Sequence, residues 1–89
     1  MNIVWDEHKR RANLKKHGFD FPDAARVFEG ITYTFEDKRF DYEERRFVTM
    51  GILDDLIVVL AHSESKRELR IISMRKATRH EQNIFYQNI

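Results

Sequence analysis

Leu56-Ile57-Val58-Val59-Leu60-Ala61 is the longest apolar run in the chain. It is far too short to span a membrane as a helix. Bounded by polar turns, it predicts a central strand buried on both faces. Asp54-Asp55 precedes it as a short turn. Before that turn, Arg46, Val48, Met50 and Ile52 alternate with Arg45, Phe47, Thr49 and Gly51, the period of a strand. After the run, Ser63 to Glu68 is a polar turn. A further strand follows, predicted to carry Arg70, Ile72 and Met74 on one face and Leu69, Ile71, Ser73 and Arg75 on the other. Both turns are short, so residues 45–53, 56–62 and 69–75 are expected as three consecutive antiparallel strands with 56–61 in the interior.

Upstream, Ile31, Tyr33 and Phe35 alternate with Thr32 and Thr34 as another strand, and Glu36 to Glu44 reads as a loop with an acidic face. Phe21, Ala24, Ala25 and Phe28 form one apolar helix face, with Asp20 as its N-cap, Pro22 in its first turn and Gly30 at its end. Earlier still, a basic helix runs from the N-cap Asp6 to His17, closed by Gly18. Its apolar stripe is weak (Ala12, Leu14), so much of it is expected to face water or a partner. Ile3 to Trp5 fits an edge strand. Downstream, Thr78-Arg79-His80-Glu81 carries the capping-box pattern of a last helix, with Ala77, Ile84, Phe85 and Ile89 toward the core. The expected order is β-α-α-β-β-β-β-α. This is an α+β domain with an antiparallel-dominated sheet packed against helices, spanning residues 1–89.

The composition suits a folded chain: 42% of the 89 residues are hydrophobic, with seven Phe, one Pro and three Gly. There is no Cys, which excludes a disulfide framework and a thiolate zinc site and fits a reducing cytosol. Charge follows Trp5 at once, so no secretory signal is expected. A cytoplasmic location is the expectation. The net charge of +1 hides a pattern: residues 1–18 carry +3, residues 19–44 carry −5 and residues 45–89 carry +3. If the two basic segments meet, they offer a surface to a polyanion. A mixed, solvated surface would account for the same charges.

Three stretches resemble the BrnT-type toxins. The opening of that family is matched by Trp5-Asp6, Asn13-Leu14-Lys15-Lys16-His17-Gly18-Phe19 and Phe21-Pro22-Asp23-Ala24-Ala25-Arg26-Val27-Phe28. Its middle is matched by Glu44-Arg45-Arg46 with Met50-Gly51. Its end is matched by Arg70-Ile71-Ile72-Ser73-Met74-Arg75-Lys76-Ala77-Thr78, with Glu81 and Tyr86. Met74 stands where Ala is the more usual residue. The resemblance implies a RelE-like α+β fold and RNA cleavage without a metal. It also implies neutralisation by a BrnA-like ribbon-helix-helix antitoxin, through which alone the chain would meet operator DNA.

Cleavage by attack of a ribose 2′-OH needs one group to take a proton, one to give one, and cations to hold the phosphate. Arg75 ends a strand and Arg79 opens the next helix, where N–H groups also favour anions. Their planar forks suit phosphate; pairing with surface carboxylates is the alternative. Glu81 is a candidate general base, but its place three residues after Thr78 fits a cap better. Tyr86 shares a helix face with Arg79 and could stack on a base or donate a proton, or else be an aromatic at the core edge. Arg45, Arg46, Lys9, Lys16 and His17 are candidates to contact RNA or a partner. His8, His17, His62 and His80 show no metal-ligand spacing, so neither a metal nor another cofactor is expected. Two functions remain open: an endoribonuclease held silent as a hetero-oligomer with its antitoxin, and a non-catalytic module binding RNA or protein through the same basic face.

Overall fold

The computed structural model describes residues 2–89. Its elements run β1 (Asn2–Trp5), α1 (Glu7–His17), a 3₁₀ turn (Phe21–Asp23), α2 (Ala24–Glu29), β2 (Thr32–Glu36), β3 (Arg46–Leu53), β4 (Leu56–Glu64), β5 (Glu68–Lys76) and α3 (Arg79–Gln87). The five strands form one sheet in the order β1-β5-β4-β3-β2. β1 pairs parallel to β5, and the other three pairings are antiparallel. The fold is therefore α+β, with a mostly antiparallel sheet and three helices.

The apolar run lies at the middle of the sheet, as its composition requires. Val58 and Leu60 face one side with Phe21, Ala24, Val27, Leu53, Leu69, Ile71 and Met74. Ile57 and Val59 face the other with Met50, Ala77 and Phe85. The sheet is thus covered by the 3₁₀ turn and α2 on one side and by α3 on the other. Leu56, at the start of the run, is 39% exposed beside its turn. That turn is two residues long, with Asp54 and Asp55 both at positive φ (48° and 67°), the conformation that matches the twist of a two-residue hairpin.

The expected faces of β5 need one correction. The pairing of β4 with β5 passes from Ala61–Ser73 to His62–Ile71, which leaves Ile72 as an extra residue. This bulge puts Leu69, Ile71 and Met74 into the same core. Ser73 and Arg75 turn to the opposite face.

Helix α1 is capped as expected. The Asp6 carboxylate accepts from Lys9 N–H at 3.0 Å, and Gly18 at φ 78° closes the last turn. Its buried residue, however, is Asn13; Ala12 and Leu14 face solvent. β1 accompanies β5 only as far as Ile71. Beyond that point the Asn13 amide takes the place of a strand: its Nδ2 donates to Met74 O at 2.8 Å, and Met74 N donates to its Oδ1 at 3.1 Å.

In the next helical segment the 3₁₀ turn rewinds the apolar face, so that Phe21, Ala24 and Val27 are buried while Ala25 is exposed. Asp20 makes no capping bond there; its carboxylate accepts from Arg10 Nη1 at 2.9 Å. Gly51 lies against this face. A Cβ there would stand 2.5 Å from Val27 Cγ1, so glycine is what lets α2 approach the sheet. Ala77, just before α3, and Phe85 within it are buried and Ile84 is half-buried, but Ile89, past the end of the helix, is 53% exposed.

Candidate active-site cleft

On the α3 side, the sheet is only partly covered. Next to the helix start lies an open cleft of about 670 Å³. Its floor is Val48, Met50, Val59 and Ala61; Ile84, His80 and Glu81 line it from α3. Opposite, Phe35 to Arg39 form the other wall, and Ser73 and Arg75 line it from β5. The bulge at Ile72 is what turns those last two residues toward this face.

Arg75 and Glu81 meet inside the cleft as a two-bond fork: Nη1 to Oε1 at 2.7 Å and Nη2 to Oε2 at 2.8 Å. Glu81 Oε1 also accepts the N–H of Thr78 at 2.9 Å, while Thr78 Oγ1 accepts from Glu81 N at 3.2 Å. The capping box is complete, and one carboxylate joins helix start to strand end. The Arg75 guanidinium holds the Glu81 carboxyl down to about 2, with the Thr78 N–H adding to the effect. So low a value, with both oxygens engaged, makes Glu81 a poor proton acceptor and a good positioning group. Arg75 is in turn held charged by Glu81, against its burial and the nearby Arg39 charge.

The opposite wall is organised by Asp37. It accepts from Arg39 through the backbone N–H at 3.1 Å, Nε at 3.0 Å and Nη2 at 2.9 Å, and from the Tyr42 hydroxyl at 3.1 Å. These bonds hold its carboxyl well below the ordinary range, the Arg39 side chain contributing most.

Of the residues expected to act, Arg75 and Glu81 are brought together in this cleft. Arg79 and Tyr86 are not: both lie on the outer, exposed face of α3 and do not line it, with Tyr86 62% exposed. Arg45 and Arg46 sit at the start of β3 and are also outside it. Arg45 pairs with Glu36 at 2.9 Å and lies over Phe47; Arg46 lies over the Tyr42 ring, 4.5 Å from its centroid. Lys9, Lys16 and His17 line a separate groove of about 290 Å³ between α1 and the β5 edge.

The cleft also holds residues that the sequence did not single out for a site: Lys38, Arg39, Ser73 and His80. His80 could have been found from its helical spacing to Ile84. Lys38 and Arg39 carry no such signal, because only pairing of β2 with β3 folds their loop toward Arg75. Among the described residues, no three His, Cys, Asp or Glu side chains form a metal-binding group, and no helix is long and apolar enough to cross a membrane.

In class, this is a small α+β protein whose sheet carries a cleft with a carboxylate-anchored arginine and further cations around it. Residues 5–81 match the family model described as the ribonuclease toxin BrnT of type II toxin–antitoxin systems, and the chain belongs to that family. No curated protein matches the chain.

Proposed function

We propose that residues 1–89 act as one toxin domain of RelE-like fold. In this reading it cleaves RNA without a metal: the ribose 2′-oxygen gives up its proton to a base and attacks the adjacent phosphate, and the P–O5′ bond breaks, leaving a 2′,3′-cyclic phosphate and a 5′-oxygen that takes up a proton. The observation that carries this reading is the Arg75–Glu81 fork in a cleft shared with Lys38, Arg39 and His80. Arg75 offers charge-assisted donors to a phosphate. Glu81 orients it, and the guanidinium exchanges part of the fork for phosphate oxygens as RNA enters. His80 supplies an imidazole, the side chain most often used for proton transfer. Arg79 and Tyr86 on the outer face of α3, and Arg45 and Arg46 at the start of β3, serve the flanking RNA rather than the reacting phosphate. Cleavage of messenger RNA would inhibit translation in a bacterial cytoplasm. A BrnA-like ribbon-helix-helix antitoxin keeps the chain silent as a hetero-oligomer and carries it to operator DNA.

The test is cleavage of RNA by the purified chain in the presence of a metal chelator, with analysis of the product ends. Cyclic 2′,3′-phosphate ends are expected. Arg75→Ala should reduce the rate by roughly 10²–10³, the usual loss for one donor to a developing charge, with Arg75→Lys intermediate. Because Arg75→Ala also strips Glu81 of its ion-pair partner and lowers the melting temperature, rates are compared well below the variant's melting point. Full activity of Arg75→Ala would remove Arg75 from the site. Absence of cleavage, with RNA binding retained, would favour the non-catalytic binding module.

A further inference from the structure

The cleft and the groove beside α1 are separated by one residue. Ser73 lines both. The separation falls where β1 has ended and β5 has an open edge, held only by the Asn13 amide. Groove-facing residues on α1 are Lys9, Ala12, Asn13, Lys16 and His17, with the bulge residue Ile72 across from them.

The charges on α1 are divided by face. Arg10 and Arg11 turn elsewhere and are engaged by carboxylates: Arg10 by Glu7 at 2.6 Å and Asp20 at 2.9 Å, Arg11 by Glu7 at 3.5 Å. Among the described residues, Lys9 and Lys16 have no ion-pair partner. Lys15 is likewise without an ion-pair partner but does not line the groove, so two of the three uncompensated lysines of this helix face it. Seven residues separate the two lysines, which is about 10 Å along a helix axis.

We propose that a single RNA strand crosses the open edge of β5 at Ser73, its backbone running from the Arg75 cleft into this groove, where Lys9 and Lys16 each meet a phosphate. The assignment rests on the ribonuclease reading above and extends it to the substrate. The strand must be single, because a duplex is too bulky to descend into a cleft of about 670 Å³ and would bridge the Ser73 rim instead.

The experiment measures binding of a labelled single-stranded 2′-O-methyl oligoribonucleotide, which lacks the attacking hydroxyl, to the purified chain over a range of salt. Removing two phosphate contacts should lower the slope of log affinity against log salt by about 1.4. That is the expected result for Lys9→Gln/Lys16→Gln, with Arg11→Gln unchanged and the duplex form of the oligonucleotide bound more weakly. All variants are checked by thermal melting, since these side chains are exposed. An unchanged slope, an equal loss in Arg11→Gln, or variants that bind RNA normally but lose the antitoxin would each overturn the proposal. Binding is read without cleavage, so a chain that fails to cut RNA would refute the activity while the slopes still decide the path.

Discussion

His62 should make the protein acid-sensitive in a pH range where carboxylates do not yet titrate. Its side chain is wholly buried, stacked on Phe47 at 5.9 Å between ring centroids and met edge-on by Phe28 at 5.5 Å. Its Nε2 shares a 2.7 Å hydrogen bond with Thr49 Oγ1, which is itself 2.7 Å from Thr34 Oγ1. Nδ1 has no hydrogen-bond partner, and the closest carboxylate is Glu64 at 3.5 Å. Burial pushes the imidazole from 6.5 down to about 4. In the unfolded chain it returns to about 6.5. Between those values the unfolded state binds more protons, so stability rises with pH and is lost on acidification. The whole effect is about 3 kcal/mol at 1.36 kcal/mol per pH unit. By pH 5, about 2 kcal/mol of it should be gone, equivalent to roughly 10 °C in melting temperature for a domain of this size. Glu81, held to about 2, adds its own loss only at lower pH. The assay is urea or thermal unfolding at pH 7, 6 and 5 for the wild type and for His62→Gln, which can still bond Thr49. The wild type should weaken across the series and the variant should stay nearly flat. A wild-type midpoint that does not move, or an equal slope in the variant, would refute the reasoning.

Three other outcomes follow from particular contacts. Asn13→Ala should destabilise the fold by about 2–3 kcal/mol in denaturant unfolding, because Met74 N and O lose their partners at a buried edge. Gly51→Ala should cost about 1–3 kcal/mol, since the new methyl meets Val27 and α2 must move; unchanged unfolding would mean that the helix yields freely. Thr78→Ala should cost about 1 kcal/mol, while Glu81→Gln should keep most of the capping stability and leave the pH profile of RNA cleavage unchanged. Loss of one limb of that profile in Glu81→Gln would instead make Glu81 the proton acceptor.

Much of the fold was legible because its signals are local. The Leu56–Ala61 run marks the central strand by composition alone, since few β-branched and aliphatic residues in a row can be solvated. The Asp6 and Thr78 caps and the Gly18 stop are read within four residues of backbone. Helix α1 was legible as an element, but not in its packing. Ala12 and Leu14 are the apolar residues a helical stripe selects, yet the inward position belongs to Asn13, because the groups it meets are the backbone N–H and C=O of an open strand edge. Nothing near Asn13 in the chain announces Met74.

The site divides in the same way. Thr78 and Glu81 are three residues apart, and their reciprocal bonds follow from helix geometry. Arg75 was a visible candidate for a phosphate, because a strand end and a helix start lie beside it. Its actual neighbours were not visible. An added residue at Ile72 reverses the side of the sheet that Ser73 and Arg75 face, and alternation along one strand cannot reveal a bulge that exists only relative to the next. Arg39 reaches the same cleft through the pairing of β2 with β3, and His62 loses its solvent to Phe28 from α2. The amino-acid sequence by itself determined most of the elements, the caps at Asp6 and Thr78 and the family, because those depend on neighbours along the chain. Tertiary structure decided which charges meet, which are cancelled and which stay free, because electrostatic and hydrogen-bond partners are chosen by distance in space.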